Sequence, residues 1–300
     1  MKHCLFRSGG RPGMSWAAPL LASCLLPMAA QAEPLRNGGK LLLTDGISTV
    51  EGASGGGLAP WATIAGKETK DGIGVSAHAT LDELKDYQYA SAGAAVGLFN
   101  RVEISYARET FNTQKIGTAL GLGRDYTFRQ DVVGAKVRLL GDVVYDNPLV
   151  PAIALGVQYK HNLNGDIVRA LGAKSASGVD FYASATKLIL ANSVLVNATV
   201  RATRANQIGL LGFGGDKSDA YHVEFEGSLA YQLSRRLAIG GEYRTKPDNL
   251  GVARENAWFD GFLAYALNRH LTATVAYTDL GSIATIDKQR GYLLSLQAAF

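Results

Sequence analysis

Apolar and polar residues alternate with a period of two from residue 72 to the C-terminus. In residues 194–203 and 221–232, one set of alternate positions is apolar, and the other set carries mostly polar and charged side chains. This period is typical of β-strands with one apolar face. Similar segments lie at 72–81, 87–98, 102–110, 130–143, 150–161, 178–190, 237–246, 256–267, 271–280 and 290–300, with less regular candidates at 39–45 and 58–66. We therefore predict about fourteen strands, or twelve if the first two candidates are something else.

The connections between these segments alternate in length. Short ones contain residues 99–101, 191–193, 234–236 and 268–270, whereas those at 111–129, 162–177, 205–219 and 247–255 are long and polar or glycine-rich. Short turns on one rim and long loops on the other are typical of transmembrane up-and-down antiparallel β-barrels. A secreted β-sandwich would also alternate, but it gives no reason for the alternating loop lengths.

Turn length assigns the faces of the strands, because two apolar residues that flank a three-residue turn point to the same side. The rule pairs Leu98 with Val102, Leu233 with Leu237, Leu267 with Leu271 and Leu190 with Val194. The last pair turns Lys187 to the polar face. Outward aromatic residues then form two belts: Tyr106, Tyr159, Tyr182, Tyr221, Tyr243, Tyr277 and Tyr292 towards the long loops, and Tyr231, Tyr265 and Phe300 towards the short turns.

The polar face of such a barrel points into its lumen. Candidate lumen residues are Glu103, Lys136, Arg138, Lys160, Lys187, Arg201, Glu224, Glu226, Glu242 and Arg244. Glu226 falls directly opposite Arg244, which predicts a cross-strand ion pair. These charged side chains either fill the barrel and pair with one another, or they line a hydrated passage. A barrel of twelve to fourteen strands is intermediate in width between small barrels that side chains fill and large barrels that leave an aqueous channel.

The composition of the N-terminal segment predicts that the protein is exported. Residues 1–32 carry three basic residues, no acidic residue, an apolar stretch and a final Ala-Gln-Ala, which predicts a secretory signal peptide. Alternatively, Leu21 to Cys24 resembles a lipoprotein cleavage site. Removal of residues 1–32 lowers the formal charge from +4 to +1 and removes both cysteines, so we expect no nucleic-acid partner. We expect residues 33–56 to form a strand, a plug or a tail, and residues 57–300 to form the barrel.

The chain ends on an apolar strand face formed by Tyr292, Leu294, Leu296 and Phe300. This face resembles the C-terminal signal of outer-membrane barrels. It predicts that the barrel-assembly machinery binds the last strand, and that this strand closes the barrel. The expected location is the outer membrane of a Gram-negative bacterium, with lipid against the apolar faces.

Three stretches of sequence are more specific for a protein family than the alternation of apolar and polar residues: EGASGGGLAPWATIAG (51–66), SAGAAVGLFNRVEISYAR (91–108) and TFRQDVVGAKVRLLGDVVYD (127–146). They resemble a family of proteobacterial outer-membrane barrels known as a domain of unknown function. The resemblance implies fold and compartment, and provides no substrate or catalytic residue. A weaker architectural similarity is to barrels for aromatic or hydrophobic solutes.

Signals for chemistry are weak. No H-E-x-x-H or G-x-S-x-G motif occurs, and His222, Glu224 and Ser228 are too far apart along one strand for a triad. The glycine-rich runs at 52–57 and 209–219 lack the context of a phosphate-binding loop. We predict no enzyme activity, cofactor or metal. We expect a passive channel for small solutes, or alternatively a plugged barrel with a structural or surface-interaction role; an envelope lipid-modifying enzyme is a third hypothesis.

Overall fold

The structure is a computed structural model that describes residues 39–70, 72–145, 147 and 149–300. The predicted signal peptide and the lipoprotein-like cleavage site lie outside these residues. Among the described residues, no helix has the length and apolar character needed to cross a membrane.

Twelve strands form a closed antiparallel barrel, in which each strand pairs with its neighbours in sequence and the last pairs with the first. They are preceded by a two-stranded hairpin of β1 (Ile47–Ser48) and β2 (Ser54–Gly55). The barrel strands are β3 (Ile73–Leu84), β4 (Gln88–Leu98), β5 (Val102–Asn112), β6 (Thr127–Leu140), β7 (Ala152–Asn162), β8 (Ser177–Ile189), β9 (Val194–Thr203), β10 (His222–Ser234), β11 (Leu237–Arg244), β12 (Trp258–Ala266), β13 (Leu271–Asp279) and β14 (Arg290–Ala299). The prediction of an antiparallel barrel is confirmed, with twelve strands rather than fourteen.

The two additional candidate strands are not part of the wall. Residues 39–45 and 58–66 lie inside the barrel, which begins at Ile73 rather than at residue 57. The apolar residues of 58–66 are buried because they face the lumen wall, and this produces the same partial alternation in sequence as a membrane strand. In residues 39–45, Leu41 is exposed, and Leu42 and Leu43 are half-buried.

The two rims differ as the loop lengths predict. One rim, the short-turn rim, contains the connections 99–101, 190–193, 235–236 and 267–270, together with a longer one at 141–151. The other, the long-loop rim, contains loops 113–126, 163–176, 204–221, 245–257 and 280–289, together with a short one at 85–87. The loops on this rim contain α1 (Ile116–Ala119), α2 (Gly165–Ala170) and a 3₁₀ turn (Asn206–Gly209).

Register confirms most of the face assignments. Leu98 pairs with Val102, and Glu226 pairs with Arg244 as predicted. The predicted pairing of Leu233 with Leu237 is wrong, because an irregularity between Gln232 and Ser234 pairs Ser234 with Leu237. The outward positions carry large apolar side chains, including Val275 and Leu294, which are about half exposed. The predicted outer aromatic residues are exposed as well, except Tyr182.

Strand β8 has the opposite orientation to the prediction. The β8–β9 turn comprises four residues, so Ile189 rather than Leu190 pairs with Val194. A loop of even length reverses the faces of the preceding strand. Tyr182 therefore points into the lumen, Phe181 takes its place outside, and Lys187 lies on the outer face. There its ammonium group donates to the carbonyl oxygen atoms of Asp142 and Asn147 in the 141–151 loop.

The last strand is paired on both sides, as predicted. β14 pairs with β13 and β3, and the backbone of Phe300 exchanges hydrogen bonds with Val75. Tyr292, Leu294, Leu296 and Phe300 all point outwards. This explains why the chain end is apolar. The assembly role of the strand stays a prediction.

The outer face gives a depth-dependent prediction. An apolar belt of this kind meets lipid in transmembrane barrels, where arginine at the midplane costs about 2–4 kcal/mol and near the interface about 0–1. We expect Val275→Arg, in the middle of β13, to lower the free energy of unfolding in phospholipid vesicles by the larger amount. Leu267→Arg at the short-turn rim is the matched control, and equal losses would contradict the membrane orientation.

Candidate functional site: the occluded lumen

Residues 39–66, which we call the plug, fill the lumen. The plug reaches the wall at the short-turn rim, where the next residue, Lys67, donates its backbone N–H to Phe300 O at 3.0 Å. From there it extends inwards as the β1–β2 hairpin. Glu51 and Ile64 have no solvent exposure, and Trp61 is 4% exposed. The lumen therefore has an interior of its own, contributed by the chain that precedes the first barrel strand.

The glycine-rich run of the plug fits close to the wall. Gly52 has a φ of +93°, and a Cβ there would lie 3.1 Å from Ala107 Cβ. A Cβ on Gly56 would lie 1.8 Å from the carboxylate of Glu242. Side chains at these positions would push the plug away from the wall, so the run is required by close packing in the lumen.

Glu51 is the centre of the plug–wall contact. Its carboxylate pairs with Arg244 Nη1 at 2.8 Å, Arg201 Nη2 at 3.4 Å and the ammonium group of Lys160. All four side chains are buried. Three cations from β7, β9 and β11 thus converge on one carboxylate that the barrel wall does not supply.

Two wall carboxylates complete the charge balance. Glu226 pairs with Arg201 Nε at 2.5 Å and with Arg244 Nε at 3.3 Å. Asp180 pairs with Lys160 Nζ at 2.6 Å. Together with Glu51, these carboxylates pair with all three cations, as buried ions require. A further buried carboxyl group of the wall, that of Glu109, accepts from Gln130 Nε2 at 2.9 Å. Without the plug, Lys160, Arg201 and Arg244 would lose the one carboxylate that all three contact.

This environment changes the acidity of Glu51. Burial by itself would raise the pKa of its carboxyl group, but the charges of the three surrounding cations outweigh burial and hold the pKa well below its ordinary value. Glu51 is therefore ionised throughout the physiological pH range, and the attraction is lost only as the pH falls through that lowered pKa.

A second charged pair holds the backbone of the plug. Lys136 Nζ lies 3.1 Å from Glu103 Oε1 and donates to the carbonyl oxygen atoms of Ser54 and Trp61 at 2.9 and 3.1 Å. Glu103 accepts from the backbone N–H groups of Ser54 and Ala65 at 3.1 and 2.8 Å. Because the plug has little secondary structure, wall side chains satisfy backbone groups that would otherwise be buried without partners.

The opposite side of the wall provides matching contacts. Glu242 accepts from Leu58 N at 2.7 Å and from Ser228 Oγ at 2.6 Å. Ser228 Oγ in turn accepts from Trp61 Nε1 at 2.9 Å. The side chain of Ser228 is thus occupied by the plug, and His222 instead contacts Ser218 Oγ at 3.1 Å. Ser228 and His222 do not meet as nucleophile and base.

The 204–221 loop closes the lumen from the long-loop rim. Ile208 O accepts from Gln130 Nε2 and Lys160 Nζ, each at 3.2 Å, and Asn162 Nδ2 donates to Leu210 O at 2.8 Å. Lys160 therefore contacts both this loop and Glu51 of the plug. The two inserted segments meet at one ammonium group deep in the barrel.

A buried ion pair braces the loops at this rim. Lys246 Nζ lies 2.9 Å from Glu255 Oε2 and donates to Gln207 Oε1 at 2.7 Å. Burial lowers the pKa of Lys246 and raises that of Glu255. Above the pair, buried apolar residues of the loops and strand ends form a cap, which includes Tyr87, Phe111, Phe128, Val168, Leu211, Leu250 and Ile283.

The structure brings most of the predicted lumen residues together. Glu103, Lys136, Arg138, Lys160, Arg201, Glu226, Glu242 and Arg244 are buried on inward faces. Glu224 is half-buried near the long-loop rim, where it accepts from Thr245 Oγ1. Lys187 is on the outer face, as described above.

Sequence reasoning did not identify Glu51 or Asp180 as members of the site. Glu51 lies in an irregular segment, where no period assigns a face. Asp180 has the opposite parity to Lys187 in β8, so a turn that places Lys187 on the polar face predicts an outward position for Asp180. A signal for the plug was present: a glycine-rich segment with a single acidic residue, placed before a barrel whose inward face carries several cations.

The Glu51 contacts predict how the plug is held. Glu51→Gln leaves three cations with two carboxylates, and loss of one partner from a buried ion-pair network costs about 3–5 kcal/mol. We expect the backbone amides of residues 46–64 to exchange with deuterium about a hundredfold faster or more, while the barrel strands remain protected.

Asp45→Asn is the matched control, because Asp45 lies on the plug but pairs with Lys67 next to it, at 2.7 Å. It should leave residues 46–64 protected. Equal exchange in wild-type protein and Glu51→Gln would contradict the central role of Glu51.

Solved structures with a similar arrangement are outer-membrane barrels. The KdgM porin is 12% identical with a TM-score of 0.49, over 75% of this chain and 99% of that chain. The NanC porin is 11% identical with a TM-score of 0.49, over 75% and 98%. Outer membrane phospholipase A from Escherichia coli is 9% identical with a TM-score of 0.42, over 75% and 92%. At these values the likeness carries no argument about function.

A search of curated protein sequences found no match. The family described as "Protein of unknown function (DUF3034)", in contrast, matches residues 44–297, from the plug to the last barrel strand. Because this match covers most of the sequence, including both the plug and the wall, the chain belongs to the DUF3034 family.

Proposed function

We propose that this protein is an outer-membrane barrel that its own plug keeps closed at rest, and that small solutes pass through the lumen when the plug is displaced. The observation that carries the proposal is the convergence of Arg201, Arg244 and Lys160 on Glu51. One carboxylate on a segment separate from the wall neutralises the middle of the lumen.

The outer surface supports the membrane part of the proposal. Apolar side chains cover the middle of the barrel, and exposed tyrosine residues such as Tyr277 and Tyr231 lie near opposite rims. Amphipathic rings prefer the two interfaces of a bilayer. Closure of the sheet also removes unpaired strand edges, which lipid does not tolerate. The predicted signal peptide agrees with transport to the outer membrane.

The polar nature of the plug–wall contact supports displacement. On one part of its surface the wall meets the plug through charged and hydroxyl groups, such as Lys136, Glu242 and Thr186. On another part, Trp61 and Ala62 of the plug pack in an apolar cluster with wall residues that include Leu195, Phe262 and Leu293. Water can replace these hydrogen bonds when the plug leaves, whereas an apolar wall would be left dehydrated. A barrel filled permanently gains no stability from buried ion pairs over apolar packing. The polar part of the wall is therefore suited to line a water-filled passage.

A second candidate is a permanently plugged barrel with a structural or surface role. The apolar cap and the Lys246–Glu255 pair favour it, because they close the long-loop rim, and Val50 and Leu58 of the plug pack into the same apolar cluster. The two functions differ in whether the lumen ever conducts ions.

Conductance measurements on a protein whose plug is locked by a reversible disulfide bond separate these two functions. We expect wild-type protein in planar bilayers to be closed most of the time, and Glu51→Gln to give frequent discrete openings because its plug is held less tightly. Ala62→Cys with Thr186→Cys adds a disulfide lock in the Glu51→Gln background, since Ala62 N lies 2.8 Å from Thr186 Oγ1. The locked protein should be silent until a reductant is added.

The Ala62→Cys single variant in the same background is the control for the lock, and it should conduct with or without reductant. The two native cysteines lie at positions 4 and 24, within the predicted signal peptide. Silence of the reduced, unlocked Glu51→Gln protein would favour the permanently plugged barrel. Openings that persist in the locked protein would show a path that avoids the plug.

A further inference from the structure

A cavity of about 690 Å³ lies at the short-turn rim, between the plug and the wall. The plug contributes Lys40 and Thr63, the β4–β5 turn contributes Asn100 and Arg101, and β6 contributes Arg138. The first residues of the 141–151 loop form the remaining side. The cavity is therefore bounded both by the barrel and by the segment that closes it.

The charge around this cavity is strongly positive. Among the residues that the structure describes, its lining contains four cations, Lys40, Lys70, Arg101 and Arg138, and one carboxylate, that of Asp142. This carboxylate is partly occupied, because Asp142 Oδ1 accepts from Val144 N at 2.8 Å and from Tyr145 N at 3.0 Å. The imbalance contrasts with the neutral network around Glu51.

Arg138 is the residue that most needs a further partner. Its side chain is 6% exposed, and its closest carboxylate contact is Nη1 to Asp142 Oδ2 at 3.6 Å, too long for a hydrogen bond. Among the described residues, its Nε has no hydrogen-bond partner. A buried guanidinium group with an unused donor is costly, and a planar oxyanion matches its geometry.

The neighbouring cations also favour the binding of an anion in this cavity. Lys40 Nζ donates to the carbonyl oxygen atoms of Ile64 and Gly66, at 2.5 and 2.9 Å, which are neutral acceptors. Burial lowers the pKa of Lys40; the charges of Glu68 and Asp45 oppose this, and the charge of Arg138 adds to it. Arg101 Nη1 likewise donates only to backbone, at Leu139 O (3.0 Å) and Arg138 O (3.3 Å). None of these contacts provides a negative charge.

We propose that this cavity is a binding site for a small soluble oxyanion, of the phosphate or carboxylate class, which bridges Lys40 of the plug and Arg138 of the wall. Arg138 supplies a forked donor pair, and Lys40 and Arg101 supply the surrounding positive charge. A site shared by plug and wall couples the two, because an anion there removes the repulsion between their cations. Bound anion therefore stabilises the closed arrangement.

The binding test uses inorganic phosphate and the mature protein in detergent micelles. Calorimetric titration at constant ionic strength, with chloride as the reference anion, should give saturable binding at one site. Arg138→Gln should weaken binding at least tenfold. Arg101→Gln should weaken it several-fold, and this variant should fold normally because Arg101 lies on an exposed turn. Arg236→Gln, exposed on another turn of the same rim, is the matched control and should not change binding.

Two further measurements define the source and the consequence of binding. Phosphate should slow deuterium exchange in residues 39–45 of the wild-type protein but not of Arg138→Gln. A second titration uses nanodiscs containing phosphatidylglycerol: competition between this lipid and phosphate would identify a lipid headgroup as the occupant and overturn the soluble-anion proposal. Absence of saturable phosphate binding, or equal binding by wild type and both cavity variants, would also overturn it. None of these readouts depends on conductance, so they fail or succeed independently of the proposed channel.

Discussion

The buried carboxylate of Glu51 is the interaction on which the rest of the lumen depends. Three cations from three strands converge on it, and Glu226 and Asp180 of the wall pair with the same cations. The attraction between ions is strong in a dry interior, but each unpaired ion is costly there. The wall and the plug are therefore complementary: a barrel with this inward face needs either an anion in the middle or water.

The same constraint explains several local features. The glycine residues of the plug bring its backbone against Glu242 and Ala107, and wall side chains satisfy its backbone N–H and carbonyl groups. The 204–221 loop reaches the same centre from the other rim and shares Lys160 with Glu51. At the short-turn rim the complementarity is incomplete, since the Asp142 carboxylate lies 3.6 Å from Arg138 and, among the described residues, Arg138 Nε has no hydrogen-bond partner.

Much of the wall could be predicted from the sequence, because a membrane barrel imposes one simple rule on each strand: apolar outside and polar inside. The turn at 99–101 sets the register of its strands. The pairing of Glu226 with Arg244 agrees with the predicted turn at 234–236, because the irregularity between Gln232 and Ser234 compensates for an observed turn that is one residue shorter. The rule failed at β8, where both Tyr182 and Phe181 are aromatic and one extra turn residue reversed the faces. The plug could not be predicted in the same way. Its conformation is set by contacts with distant side chains, and no local period encodes them.

The fluorescence of Trp61 tests most directly whether the plug occupies the lumen. In the chain without residues 1–32, Trp258→Phe leaves Trp61 as the single tryptophan, buried beside Ser228. The account predicts blue-shifted emission that iodide hardly quenches in the folded barrel, and strong quenching after unfolding. Emission at the wavelength of hydrated tryptophan, with equal quenching in folded and unfolded protein, would contradict a plug held inside the barrel.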